Sequence, residues 1–190
     1  MQTHRLWIGT TVLAVSLLAG CASYTPGISV DEKPTGKESY LYGRFFIEAP
    51  KAAVSFDKHM SMGFAISCSS GETYTLRFAN EFPLQVIRIA PSVCSLAEFV
   101  YTDADGVIKS RKPAPKGLMK DAQFDAGKAY YLGDFFAEGT VSVLGRTRST
   151  NWRIKTVKND YGKTTADMKA LFQNLAVTPT EDRMIGKPSQ

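Results

Sequence analysis

The apolar, β-branched segments of this chain follow one another at intervals too short to hold crossover helices. Residues 40–48, 62–68, 73–79, 84–90, 93–101, 128–136, 140–144 and 152–157 each read as a strand, and Val107 and Ile108 restart another. Aromatic and β-branched side chains favour such pleated surfaces. The punctuation between them is turn chemistry: Ser69-Ser70-Gly71-Glu72, Asn80-Glu81-Phe82-Pro83, Pro91-Ser92 and Thr102-Asp103-Ala104-Asp105-Gly106. Parallel strands joined as βαβ units need a dozen or more residues per crossover, which these breaks do not supply. The pattern therefore predicts a mainly β fold, a β-sandwich of immunoglobulin-like or transthyretin-like type.

The period changes near the C-terminus. Met168, Leu171, Phe172 and Leu175 recur at helical spacing, and Thr164 with Asp167 three residues on resembles a capping box. One short amphipathic helix over 164–175 is predicted, packed on a sheet because three turns are marginal alone. Residues 179–190 are expected to be a disordered tail. Residues 21–39, rich in Ser, Thr, Pro, Gly and charge, are expected to be a flexible tether. The folded domain is then 40–178.

The N-terminus carries a different signal. Arg5 is followed by a mostly apolar run from Leu6 to Leu18, then by Leu18-Ala19-Gly20-Cys21. About 13 residues is short for a membrane span, which needs roughly 20, but suits the apolar region of an export signal. The segment resembles the lipobox of bacterial lipoproteins. That resemblance implies removal of residues 1–20, acylation of Cys21 and attachment to a lipid bilayer. Ala22 after the cysteine, where a retention signal would be Asp, implies the periplasmic face of the outer membrane in a double-membrane cell. In a single-membrane cell the anchor would sit on the outer face of the membrane. Removing 20 of the 190 residues leaves 170, enough for one domain, and lowers the formal charge from +5 to +4 with the loss of Arg5.

With Cys21 given to lipid, Cys68 and Cys94 remain as an even pair in an oxidising compartment, and a disulfide is expected between them. No Cys-x-x-Cys motif or histidine cluster accompanies them, so no metal site and no cofactor is expected. His59 stands alone in the mature chain. Asp57, Ser55, Ser61, Ser67 and Ser69 lie near it, but no nucleophile-elbow glycine pattern accompanies them. Asp103, Asp105 and Gly106 fall short of a calcium loop, lacking the distal Glu and further oxygen ligands. Asp134, Glu138 and Glu98 show no spacing that marks a catalytic pair. An enzyme is not expected.

Two surface features remain. Lys109, Arg111, Lys112, Lys116 and Lys120, broken by Pro113 and Pro115, read as an exposed basic loop able to meet anionic lipid or wall polymer. Arg146, Arg148 and Arg153 form a second basic stretch. The aromatic run 130–136 is core at strand spacing, or the lining of a groove. Nucleic acid is a poor partner for an exported chain. The leading expectation is a lipid-anchored, noncatalytic envelope lipoprotein presenting a sandwich for protein or glycan contact. The alternative is a small-ligand-binding module with an aromatic-lined pocket, and less favoured than either is an envelope hydrolase.

Overall fold

The computed structural model describes residues 24–48, 61–102, 108–144 and 147–186. Cys21, His59, Asp57, Ser55, Asp103, Asp105 and Arg146 lie outside them. The elements are β1 (Ser39–Glu48), β2 (Ser61–Cys68), β3 (Thr73–Phe78), β4 (Leu84–Ile89), β5 (Ser92–Thr102), β6 (Ile108–Pro113), β7 (Ala122–Phe124), β8 (Ala129–Leu144), β9 (Thr147–Lys158), α1 (Tyr161–Leu171), a 3₁₀ turn (Gln173–Leu175) and β10 (Thr180–Asp182). The fold is mainly β, with two sheets and one C-terminal helix.

In the first sheet, β4, β1 and β8 lie side by side, and the outer edge of β8 is shared by β10 along residues 129–131 and by β9 along 134–144. The second sheet runs β3-β2-β5, and the outer edge of β5 is shared in the same way by β7 and β6. Antiparallel pairing dominates, but β1 with β8, and β10 with β8, pair in parallel. No crossover helix is needed for β1 and β8, because the chain between them builds β4 and the whole second sheet.

The two sheets bury a common core. At its centre the rings of Phe45, Phe64, Phe78 and Phe135 pack against each other, Phe45 stacking on Phe135 at 5.5 Å and meeting Phe78 edge-on at 5.8 Å. Such pairs each contribute about 0.5–1.5 kcal/mol beyond their burial. A second, smaller core lies on the outer face of the first sheet, where Met168, Phe172 and Leu175 cover Tyr40, Tyr42, Val86 and Tyr131. Helix, first sheet and second sheet thus form three layers.

Gly133 sets the phase of β8. Tyr42 faces Tyr131 and Arg44 faces Asp134, so β8 carries one residue more than β1 across this step. Gly133 takes the extra position at φ +126°, a conformation that a Cβ disfavours. Beyond the bulge, Phe135 and Ala137 point into the central core, while Asp134 faces the helix.

Several expectations are corrected. Residues 128–136 and 140–144 are one long strand. Residues 109–113 of the basic segment are strand β6, because an edge strand tolerates Lys, Arg and a terminal Pro. The helix begins at Tyr161 and gives way to the 3₁₀ turn after Leu171. Its N-cap position is Asp160, which makes no side-chain capping bond, and Thr164 is buried against Asp134 instead of capping.

Both expected loose ends are ordered where described. Within the expected tether, Thr25 N–H donates to Thr75 O at 2.8 Å, Thr75 N–H to Thr25 Oγ1 at 2.8 Å, and Ile28 N–H to Val86 O at 2.9 Å. Residues 24–28 therefore form a strap across the open edges of β3 and β4. The Tyr24 ring lies over Gly63, where a Cβ would come within 2.7 Å of it. Within the expected tail, β10 pairs with β8, Arg183 and Ile185 donate to Tyr131 O and Leu132 O, and Ile185 is buried in the central core.

Candidate functional site

Helix α1 covers the first half of β1 and β8 and leaves the second half open. On a strand, alternate residues share a face. On β1, Arg44 and Phe46 continue the outward row begun by Tyr40 and Tyr42. On β8, the bulge at Gly133 brings Phe136 outward beside Phe46, their rings 6.0 Å apart and tilted by 53°. The β3–β4 connection supplies Glu81, Phe82 and Pro83, β4 supplies Leu84, and the helix supplies Asp167 and Leu171. Together they line a groove of about 500 Å³. Phe82 is 74% exposed and Leu171 50% exposed, the strongest exposure of large apolar side chains around it.

The rim is charged. The Arg44 guanidinium pairs with Asp167, and Lys163 Nζ donates to the same carboxylate at 2.6 Å. The hydrogen bond from Lys163, helped by Arg44, holds Asp167 below the usual carboxylate range. Lys158 Nζ stands 5.1 Å from the centre of the Phe136 ring, a cation over an aromatic face. The arrangement is an apolar aromatic floor with cations at one side. It can hold an apolar body while Arg44 or Lys158 meets an anionic end.

Behind the groove, polar groups fix the helix. Asp134 is buried and receives the Thr164 hydroxyl at 3.0 Å, with the Tyr131 hydroxyl at 3.0 Å. Burial raises its pKa, more than these bonds and the charge of Arg44 lower it. Tyr42 shares a hydrogen bond with Thr165 at 2.6 Å, and burial pushes its phenol up to about 12. At the opposite end of β1, burial would raise Glu38, but hydrogen bonds from the Thr35 hydroxyl, Tyr40 and the Thr35 amide bring it down to about 2.

The sequence-selected residues fall elsewhere. Cys68 and Cys94 are partners in the β2–β5 ladder and are bonded, S–S 2.06 Å. Arg111 pairs with Glu98 at 2.6 Å, and Lys112, Lys116 and Lys120 are exposed along and beyond β6, the edge of the second sheet farthest from β3. Lys109 lies on the same strand. None of these five lines the groove. Arg153 lies 3.7 Å from Glu138, and the Ser69 hydroxyl bonds Ser92 at 3.0 Å. Asp134 is a structural carboxylate, and among the described residues no three His, Cys, Asp or Glu side chains gather as a metal site. No described helix is long and apolar enough to cross a membrane.

The sequence pattern singled out Phe136 only as part of an aromatic run and Asp167 only as a capping residue, and did not single out Phe46, Phe82 or Arg44. The usable signal was Phe82 beside Pro83 in a polar turn, where a large aromatic has no local reason to be. Comparison with protein-family models, with curated proteins and with solved structures gave no match.

Proposed function

We propose that this protein is a lipid-anchored, noncatalytic lipoprotein of the bacterial envelope whose domain acts as a binding module. The ligand lies in the groove between α1 and the bare half of the first sheet. The supporting observation is the set of aromatic rings, half-buried Phe46 and Phe136 and exposed Phe82, beside Arg44 and Lys158. Ligand sites combine a mostly apolar lining with a few placed polar groups. The matching ligand is a small amphiphile, with an acyl or ring body on the phenylalanines and a carboxylate or phosphate at the cationic rim. Its anionic end would compete with Asp167 for Arg44.

The scaffold reads as a β-sandwich. The parallel β1–β8 pair inside its first sheet departs from the antiparallel sheets of the immunoglobulin arrangement. The anchor is Cys21, and the compartment is the periplasmic face of the outer membrane where two membranes exist.

The test is two-dimensional NMR titration of the soluble domain, beginning at Ala22, with dodecanoate, a lyso-phospholipid and neutral wall saccharides. Shifts should cluster at Phe46, Phe82, Leu84, Phe136 and Leu171 with the anionic amphiphiles. Phe82→Ala and Arg44→Gln should each weaken binding by about tenfold or less, in line with loss of one contact of roughly 1 kcal/mol. Shifts confined to the β6 edge would return the molecule to a general surface-contact role.

A further inference from the structure

Three peptide units separate Tyr24 from Cys21. A chain spans at most about 3.6 Å per residue, so Cys21 must lie within roughly 11 Å of Tyr24. Tyr24 itself is not free to roam. Its ring sits over Gly63 with the Arg77 guanidinium 5.9 Å from the ring centre, and the next residue is hydrogen-bonded to Thr75 in both directions. The strap is thus part of the β3–β4 edge.

Given the acylated Cys21 proposed above, we infer that the β3–β4 edge is the surface that rests on the bilayer, with Phe82 reaching the interface between headgroups and acyl chains. A leash this short crosses a headgroup layer of about 5–7 Å, half of the roughly 10–15 Å that the two layers add to the hydrocarbon thickness, and leaves Tyr24 within about 6 Å of its outer surface. The edge is suited to that contact. Phe82 is 74% exposed at the turn between β3 and β4, and Val30 is 49% exposed on the chain leaving the strap. Aromatic and aliphatic side chains are the ones that enter the interfacial zone.

Two consequences follow from the topology. The groove shares Phe82, Pro83 and Leu84 with this edge, so it opens beside the membrane surface, where an amphiphile leaving the bilayer would meet it. The basic strand β6 lies three strands from β3, roughly 14 Å at sheet spacing, so it stands off from the anchoring membrane.

The experiment uses the acylated full chain, purified from bacterial membranes and reconstituted into phosphatidylethanolamine–phosphatidylglycerol vesicles with or without brominated acyl chains. Trp152→Phe removes the tryptophan that remains after loss of the leader. In that background, Phe82→Trp reports the proposed contact and Lys112→Trp the far edge. Bromine should quench the tryptophan at 82 several-fold more than the one at 112. A Gly/Ser spacer of about a dozen residues between Ser23 and Tyr24 should lengthen the leash and reduce that difference. Intact mass decides what a negative result means. An acylated protein with equal quenching at both positions overturns the docking surface alone. A chain without acyl groups overturns the anchor and the docking surface with it.

Discussion

Asp134 offers the sharpest test of how the helix is held to the first sheet. The carboxylate is 2% exposed, takes the Thr164 hydroxyl, and lies beside the Tyr131 hydroxyl. Burial of a charge opposes folding, whereas each bond to it contributes about 1.5–3 kcal/mol. Asp134→Asn keeps the shape. Its Oδ1 can accept from Tyr131 while its amide donates to Thr164, so both partners stay satisfied and the buried charge is gone. The variant should match the wild type within about 1 kcal/mol at pH 7, or exceed it. Asp134→Ala should lose about 1–3 kcal/mol, because Thr164 loses its acceptor while Tyr131 retains Lys158 O at 3.1 Å.

The pH dependence carries the sign. A raised carboxyl pKa means that the folded state binds the proton more tightly than the unfolded chain, whose value is about 3.9. Wild-type stability from this group is therefore greatest in acid and declines as pH rises from about 4 through the raised folded value. Asn has no such decline, so the difference should move in its favour between pH 4 and 7. Urea unfolding followed by Trp152 fluorescence and far-ultraviolet circular dichroism measures both. An Asn variant weaker by more than about 2 kcal/mol, with a gap constant over that range, would refute the reasoning.

Glu38 should behave oppositely. Its pKa is down at about 2, so Glu38→Gln should cost about 1–2 kcal/mol at pH 7, with the gap closing as pH falls from about 4.5 toward 2 in acid-unfolding curves. Replacing Cys68 and Cys94 by Ala should cost up to roughly 3.5 kcal/mol for a separation of 26 residues, read by denaturant midpoint, with nonreducing peptide mapping of the wild type as the control. Ile185→Ala should cost about 2–4 kcal/mol, although it lies in a segment that reads as tail, and calorimetry would detect it as a lowered Tm.

The legible part of the fold was the part written in local alternation. Strands β1 to β5 and β9 follow from runs such as Leu84, Val86, Ile87 and Ile89, whose two faces enter the helix-side and central cores. Edge strands were harder. Lys109, Arg111 and Lys112 have poor strand propensity, and only the ladder with β5 makes 108–113 extended. Thr180–Asp182 is a strand solely because β8 offers a free edge there. The groove was hidden for a further reason. A strict period of two would place Phe136 with Leu132 toward the interior, and the bulge at Gly133 reverses that phase. Arg44 and Asp167 stand 123 residues apart, and nothing in the order of the residues announces their meeting.

The first and last described segments close opposite parts of the same molecule. The strap at 24–28 seals β3 and β4, while β10 and Ile185 complete β8 and the central core. A polypeptide emerging from its N-terminus delivers Ile185 after every strand of both sheets. Until then the first sheet lacks the strand at its outer edge and the core lacks a side chain. Pairing of β1 with β8 already waits on most of the chain, since such non-local contacts form slowly. The order of emergence thus keeps the nascent domain open, and the arrival of residues 180–185 is the event that lets it shut.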